Sequence, residues 1–415
     1  MRNATPMTVS APATSPADAL NEALHAGARQ MLLTAIEAEV AAYVDQYADV
    51  VDQDGHRLVV RNGHLPEKTI LTGLGPIKIR QPRVLDQRFE DGERQKFNSK
   101  ILPPYLRKTR SLEGMIPWLY LKGISTGDFS EALQTLLGPD APGLSATSIV
   151  RLKQVWEEDF KTWSRRSLAG KQYAYIWVDG IYGRVRLEDG RPCLLVVIGA
   201  TQDGRKELLA IQDGERESEQ SWKELLLDLK KRGLKLGPQL AIGDGALGFW
   251  SAVSKVYPNT RHQRCWVHKS VNVLDKLPKK EQPAALAQLH EIWMAATREK
   301  ATAAFDHFIA VYEAKYPKAT ECLEKDRAEL LAFYDFPAEH WRHLRTSNPI
   351  ESTFATIRLR TARTKGSGSR IACLTMVFKL AQVAEKHWRL LNGAKLLKDV
   401  MKGIQFKDGA KVKAA

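Results

Sequence analysis

The amino-acid sequence, 415 residues long, predicts an α/β fold: a mixed five-stranded sheet interrupted by an all-α insertion, with a helical region ahead of it. Three observations carry that prediction. At Tyr173 the apolar period turns from helical to strand-like. The runs YAYIWVDGIYGRVRL, RPCLLVVIGATQ and KELLAIQDGE follow, separated by Glu188-Asp189-Gly190-Arg191 and Asp203-Gly204-Arg205, the chemistry of hairpin turns. Next, SEQSWKELLLDLKKRG, GPQLAIGD, LGFWSAVSKVYP and TRHQRCW alternate helix, strand, helix, strand. Finally, residues 278–345 hold no strand-like run, too long a helical stretch for a connection inside a compact domain.

In chain order, residues 1–17 lack the apolar core of a secretory signal and read as a disordered tail. Residues 18–104 form a long helix and a small β-hairpin. Leu20, Leu24, Met31, Ala35, Ala38 and Ala42 fall close to one helical stripe, a face to dock or dimerise. Residues 105–170 give three helical patterns, the first two ended by Gly123 and Gly138 and the third capped by Ser145. Such helices suit a helix-turn-helix DNA-binding region whose third helix offers Thr147, Ser148, Arg151 and Lys153 to a groove. A plain helical bundle has the same pattern. The sheet then occupies residues 171–277 and the insertion 278–345. Residues 346–375 return to the sheet, and 376–415 read as a basic helix and tail.

Composition narrows the function. Hydrophobic residues make up 44% and charged residues 27%, and no apolar run reaches the roughly 18 residues a membrane span requires, so no membrane partner is expected. Four cysteines stand singly without a CxxC pair, which suits a reducing cytoplasm rather than a disulfide framework. The formal net charge of +14 favours a polyanionic partner. The excess is concentrated from Arg358 onward, where fourteen Lys and Arg face only Glu385, Asp399 and Asp408. That pattern is either phosphate neutralisation or a solvated face.

Three acids stand out. Of eight Asp-Gly pairs most are turns, but the strand pattern continues past Asp179 through Ile181 and Val185. A carboxylate inside an apolar strand is costly unless paired with cations or a metal, the alternative being a bulge. Asp244 closes the run QLAI and opens a helix, where an N-cap is the competing reading. Glu351 in Asn348-Pro349-Ile350-Glu351 also fits a capping box with Asn348 as cap. Together they converge: the middle of strand one lies beside the end of strand four, and a later helix can add the third acid. Repulsion among three carboxylates is relieved by divalent metal ions, and two such ions activate water or a hydroxyl and stabilise the leaving oxygen of a phosphodiester.

With WVDGIYGRVR, AIGDGALGFWSAV, RHQRCWVHK and SNPIESTFATIRLRTARTKG, together with RNGHLPEKTILTGLGPIKIRQPR and YLKGISTGDFSEAL, the chain resembles the bacterial insertion-sequence transposases of the Mutator-like type from about Leu20 to about Lys395. The resemblance implies a ribonuclease H-like core whose catalytic, metal-binding triad matches Asp179, Asp244 and Glu351, with an α-helical insertion before the Glu. It also implies Mg²⁺, with Mn²⁺ as a substitute, for cleavage at terminal inverted repeats and strand transfer to double-stranded target DNA. A homo-oligomer, at least a dimer, follows because two element ends are handled together, and the setting is the bacterial cytoplasm, on the nucleoid when DNA is bound. Arg358, Arg360, Arg363 and Lys365 follow Glu351 and are suited to phosphates near the metals. A non-catalytic DNA-binding regulator and a ribonuclease H-like nuclease without strand transfer are the alternatives.

The segment RHQRCWVHK suggests zinc through His262, Cys265 and His268. Strand alternation up to Cys265 opposes it, sending Cys265 to the face opposite the histidines. Cys265 and His268 match a Cys-x-x-His signature of the family, which implies active-site neighbours, with plain packing as the alternative.

Overall fold

The computed structural model describes residues 16–90, 92–109, 112, 115, 119, 129–137, 146–182, 193–214, 216–245, 247–363 and 369–412. Most of the tail expected at 1–17, most of the first of the three helices expected between 109 and 163, the Glu188–Arg191 turn and Lys365 lie outside these residues. The chain divides into two units, Met1–Ile149 and Val150–Ala415. Among the described residues no helix is long and apolar enough to cross a membrane.

In the first unit, helix α1 (Pro16–Gln46) packs on strands β1 (Val59–His64), β2 (Lys68–Thr72), β3 (Gly75–Ile79) and β4 (Pro82–Asp86). β2 pairs with β3 and β1 with β4, both antiparallel, so one hairpin nests inside another where the sequence suggests a single one. The short strands β5 (Phe89–Glu90) and β6 (Glu93–Arg94) follow. Ile36 of α1 meets Ile70, Ile77, Ile79 and Leu102, with Leu32 and Leu33 packed against them. Leu20, Leu24 and Met31, expected on the docking stripe, are exposed. The packed face is set instead by Leu32, Leu33, Ile36 and Val40, whose larger apolar area decides which side turns inward. Helix α2 (Phe129–Leu137) and helix α3 (Ala146–Ser164) complete the N-terminal region, α3 crossing the boundary between units.

The second unit holds the expected sheet: β7 (Tyr175–Tyr182), β8 (Cys193–Ala200), β9 (Lys206–Gly214), β10 (Leu240–Gly243) and β11 (Arg261–Arg264), in the order β11-β10-β7-β8-β9. β7, β8 and β9 are antiparallel, while β10 runs parallel to β7 and β11. All eight residues of β8 are buried, as an unbroken apolar run in a strand covered on both faces must be. Helices α4 (Glu219–Lys231) and α5 (Leu247–Val256) cover one face. Their Trp222, Leu225, Leu226, Phe249 and Val253 pack with Ile176, Val178, Leu195 and Val197.

After β11 come α6 (Trp266–Leu274), α7 (Gln282–Met294), α8 (Arg298–Tyr312), α9 (Pro317–Glu324), α10 (Arg327–Leu330), two 3₁₀ turns and α11 (Trp341–Leu344), the all-α stretch expected at 278–345. Buried Gln263 of β11 ties this block to the sheet edge, donating to Leu330 O (3.1 Å) and accepting from Phe333 N (2.8 Å). Helices α12 (Asn348–Arg363) and α13 (Arg370–Glu385) follow. The last segment is folded rather than a plain tail: helix α14 (Leu397–Met401) leads to the small hairpin of β12 (Phe406–Lys407) and β13 (Ala410–Lys411). Ala338 N donates to Gly409 O (3.1 Å) and Arg298 N to Asp408 Oδ1 (2.6 Å), which holds the hairpin on the all-α block.

Candidate active site

Strand register brings the first two acids together. Leu240 lies beside Tyr175, Ala241 beside Ile176 and Ile242 beside Trp177. Two residues further, the same parallel register sets Asp244 level with Asp179, and side chains level on neighbouring strands share a face. That face is the one opposite α4 and α5. Ile176 and Val178 enter the core beneath those helices, whereas Tyr175 Oη hydrogen-bonds His340 Nδ1 (2.7 Å) and Trp177 Nε1 donates to His343 O (2.9 Å). Asp179 is the next residue in that alternation.

Burial pushes the Asp179 carboxyl up to about 7, and the charge of Asp244 adds to the rise. His268 and a hydrogen bond from Gly180 N (2.8 Å) oppose it. Asp244 stands on a braced turn: its carbonyl accepts from Trp250 Nε1 (2.9 Å) and Arg264 Nη1 (2.7 Å), and Cys265 N donates to Gly243 O (2.8 Å). Arg264 itself is buried, lies 4.7 Å over the Trp250 ring and pairs with Asp326, which also binds Lys269. Arg264 escapes a reading of the sequence because its role depends on a main-chain oxygen twenty residues earlier.

The third acid is held by Ser347. Ile350 N and Glu351 N both donate to Ser347 O (2.9 and 3.1 Å), so Ser347 rather than Asn348 is the cap of α12, and Glu351 sits one position too far along for the expected capping box. Its carboxylate instead accepts from the Ser347 hydroxyl (2.8 Å). That buried hydroxyl also lies 3.3 Å from Cys265 Sγ and 3.4 Å from His268 Nδ1, and His268 Nδ1 is 3.7 Å from Glu351 Oε1. The hydrogen bond with Cys265 and the charges of Cys265, Asp244 and Glu351 raise His268 to about 9 against its burial. Ser347 is the second residue the sequence reading missed. Its only signal was its place before Asn-Pro.

Cys265, His268 and Glu351 offer ligand atoms within 4.8 Å of one another. The structure thus joins Cys265 to His268 through Glu351. His262 faces elsewhere, with its ring 4.8 Å from that of Trp250. Cys265 caps α6 and His268 lies on its first turn, so the strand does end where alternation placed its end. Among the described residues Asp179, Asp244 and Glu351 do not form a group whose ligand atoms all lie within 4.8 Å of one another, although their carboxylate oxygens are donors of the kind that suits a hard cation such as Mg²⁺. A second acidic group, Asp52, Asp54 and His56, is exposed and is turn chemistry: Asp52 Oδ1 accepts from Asp54 N (2.9 Å) and His56 N (2.8 Å).

Of the expected DNA-contacting residues, Arg358 is exposed on α12 two turns beyond Glu351. Arg360 and Arg363 lie on the same helix and Thr147 and Ser148 on α3, but the described structure covers only their backbone. Arg151 is exposed and Lys153 half-buried on α3.

A family model described as "Transposase, Mutator family" matches residues 5–390. The chain is 52% identical over 295 residues to the transposase for insertion sequence element IS6120 of Mycolicibacterium smegmatis, covering 71% of this chain and 91% of that protein. It is 53% identical over 286 residues to the transposase for element IST2 of Acidithiobacillus ferrooxidans, covering 67% and 94%. A third relative, the transposase for element ISRM5 of Rhizobium meliloti, is 29% identical over 371 residues, 88% of this chain and 89% of its own length.

Proposed function

The chain belongs to the Mutator family of transposases, and we propose that it binds the terminal inverted repeats of an insertion sequence, cleaves the phosphodiester at the element ends and joins the freed 3′-hydroxyl to double-stranded target DNA. The observation that carries this reading is the convergence of Asp179 and Asp244 on one sheet face, electrostatically coupled to His268, which adjoins Glu351. In this reading the sheet is a ribonuclease H-like core, residues 171–277 and 346–375, with 278–345 as its insertion. Residues 18–104 are a helix-and-hairpin appendage, 105–170 bind DNA, and 376–415 carry the terminal basic charge.

Asp179, Asp244 and Glu351 would hold Mg²⁺ or Mn²⁺. Bound there, divalent cations lower the pKa of a water or hydroxyl and neutralise charge on the scissile phosphate. Ser347 fixes the orientation of Glu351, and Arg264 fixes the turn that presents Asp244. His268, raised to about 9, carries positive charge at neutral pH and so suits a phosphate oxygen. Arg358, Arg360, Arg363 and Lys365 would grip the DNA backbone, and Thr147, Ser148, Arg151 and Lys153 would read a groove. Pairing of two ends calls for at least a dimer, working in the bacterial cytoplasm on the nucleoid.

Glu351→Gln tests the reading. Glutamine still accepts from Ser347 but is a poor ligand for Mg²⁺. The variant is expected to fold and to bind terminal-repeat DNA without cutting or joining it. If it joins strands as the parent does, the acids are not the catalytic centre. Cutting without joining by the parent chain would make it a nuclease.

A further inference from the structure

Glu217 immediately precedes Ser218, the cap of α4, in the polar run GERESEQS. Its carboxylate occupies the place a side chain at position 180 would take: a Cβ on Gly180 would fall 2.5 Å from Glu217 Oε1 and 2.6 Å from its Cδ. Gly180 directly follows Asp179, so the missing side chain lets the carboxylate reach the strand beside the first acid of the site. A second glycine completes the fit. On α5, a Cβ at Gly248 would collide with the Glu217 carbonyl oxygen.

The usual duties of an acid at a helix start are taken by its neighbours. Ser218 caps α4 by accepting from Ser221 N (3.2 Å), and Glu219 pairs with Lys255 and accepts from Ser251 Oγ (2.6 Å). Glu217 has a neutral donor, the Tyr182 phenol. Among the described residues no cation forms an ion pair with it. Burial and the charge of Asp244 raise its carboxyl, and Glu217 in turn raises Asp179. His268 opposes both shifts, yet one imidazolium does not balance three carboxylates, and further positive charge would stabilise them.

We propose that Glu217 is a fourth carboxylate of the centre, giving an oxygen to the divalent cation held by Asp179 and Asp244. This rests on the triad reading above.

The test is Mn²⁺ binding to the full chain, followed by the electron paramagnetic resonance signal of free Mn²⁺, beside the thermal midpoint of the metal-free protein. Glu217→Gln keeps an acceptor for Tyr182 and is expected to weaken Mn²⁺ binding by at least about tenfold to a hundredfold, the loss that follows removal of a group that merely supports a metal ligand. Its metal-free midpoint should stay level or rise, because a repelling charge is gone. An acid serving only the fold would lower it. Gly180→Ala, which pushes the carboxylate away without removing it, should weaken Mn²⁺ binding in the same sense. Parent-like Mn²⁺ affinity in both variants, while Asp179→Asn and Asp244→Asn lose binding, overturns the fourth ligand and leaves the triad standing. Undiminished binding in Asp179→Asn and Asp244→Asn overturns the triad, and the fourth ligand with it.

Discussion

Buried acids in the two units are treated in opposite ways. Asp86 in the first unit is almost wholly buried, yet it is paired with Arg88 (2.8 Å), accepts from Tyr43 Oη (2.7 Å), and is held below the usual carboxylate range despite its burial. Arg88 in turn lies over the Tyr47 ring. Asp179 in the second unit is half-buried, but its neighbours are Asp244 and Glu217, and its carboxyl is pushed up to about 7. In the first unit the fold supplies the cation. In the second, Asp179, Asp244 and Glu217 meet near a single histidine, and in the proposed reading a bound cation supplies the balancing charge.

The contrast can be broken most sharply by Asp179→Asn. Joining of terminal-repeat DNA should disappear while the metal-free variant unfolds at the parent's denaturant midpoint or above it. Asp86→Ala should do the reverse, removing the buried carboxylate that Arg88 and Tyr43 bind and costing the first unit about 3–5 kcal/mol, measurable by hydrogen exchange of α1 and β1–β4. Mg²⁺ should sharpen the comparison. At a hundred times its dissociation constant it should stabilise the parent by about 2.7 kcal/mol in thermal unfolding and leave Asp179→Asn unmoved. Ser347→Ala keeps the carbonyl that starts α12 but removes the buried hydroxyl that binds Glu351, and should cost about 1 kcal/mol, with slower joining because Glu351 loses its hold.

Titration separates the two acids by sign. Asp179 is raised in the folded state, so its contribution to stability is complete near pH 4 and is lost as pH rises towards 7. Asp86 is lowered, so its contribution is present at neutral pH and is lost on acidification below the ordinary carboxylate range. With a chelator present, unfolding of the second unit at pH 5 and pH 7 should show the first slope in the parent and not in Asp179→Asn.

The triad candidates were legible because each breaks a local rule. Asp179 interrupts an apolar strand without ending it, Asp244 ends one, and Glu351 opens an amphipathic helix behind Asn-Pro. The sheet was legible for a related reason: period-two runs and Asp-Gly turns are local signals. Glu217 was not, since a glutamate before a serine cap looks like ordinary helix-start chemistry, and only the close approach to Gly180 distinguishes it. Arg264 and Ser347 were hidden in the same way, their roles resting on hydrogen bonds to groups distant in sequence. In the N-terminal unit the outer hairpin was missed because β1 and β4 pair across the whole length of β2 and β3, a contact no short window reveals.

The central claim is that the unbalanced acids of the sheet form a divalent-cation centre for strand transfer. Its most direct test maps the cut and joined ends of terminal-repeat DNA incubated with the full chain and Mg²⁺, beside Asp179→Asn, Asp244→Asn and Glu351→Gln. Defined 3′ ends joined to target DNA are expected from the parent in Mg²⁺ and from none of the three variants. Joined ends from any folded variant, or parent joining that persists in a chelator, would contradict it.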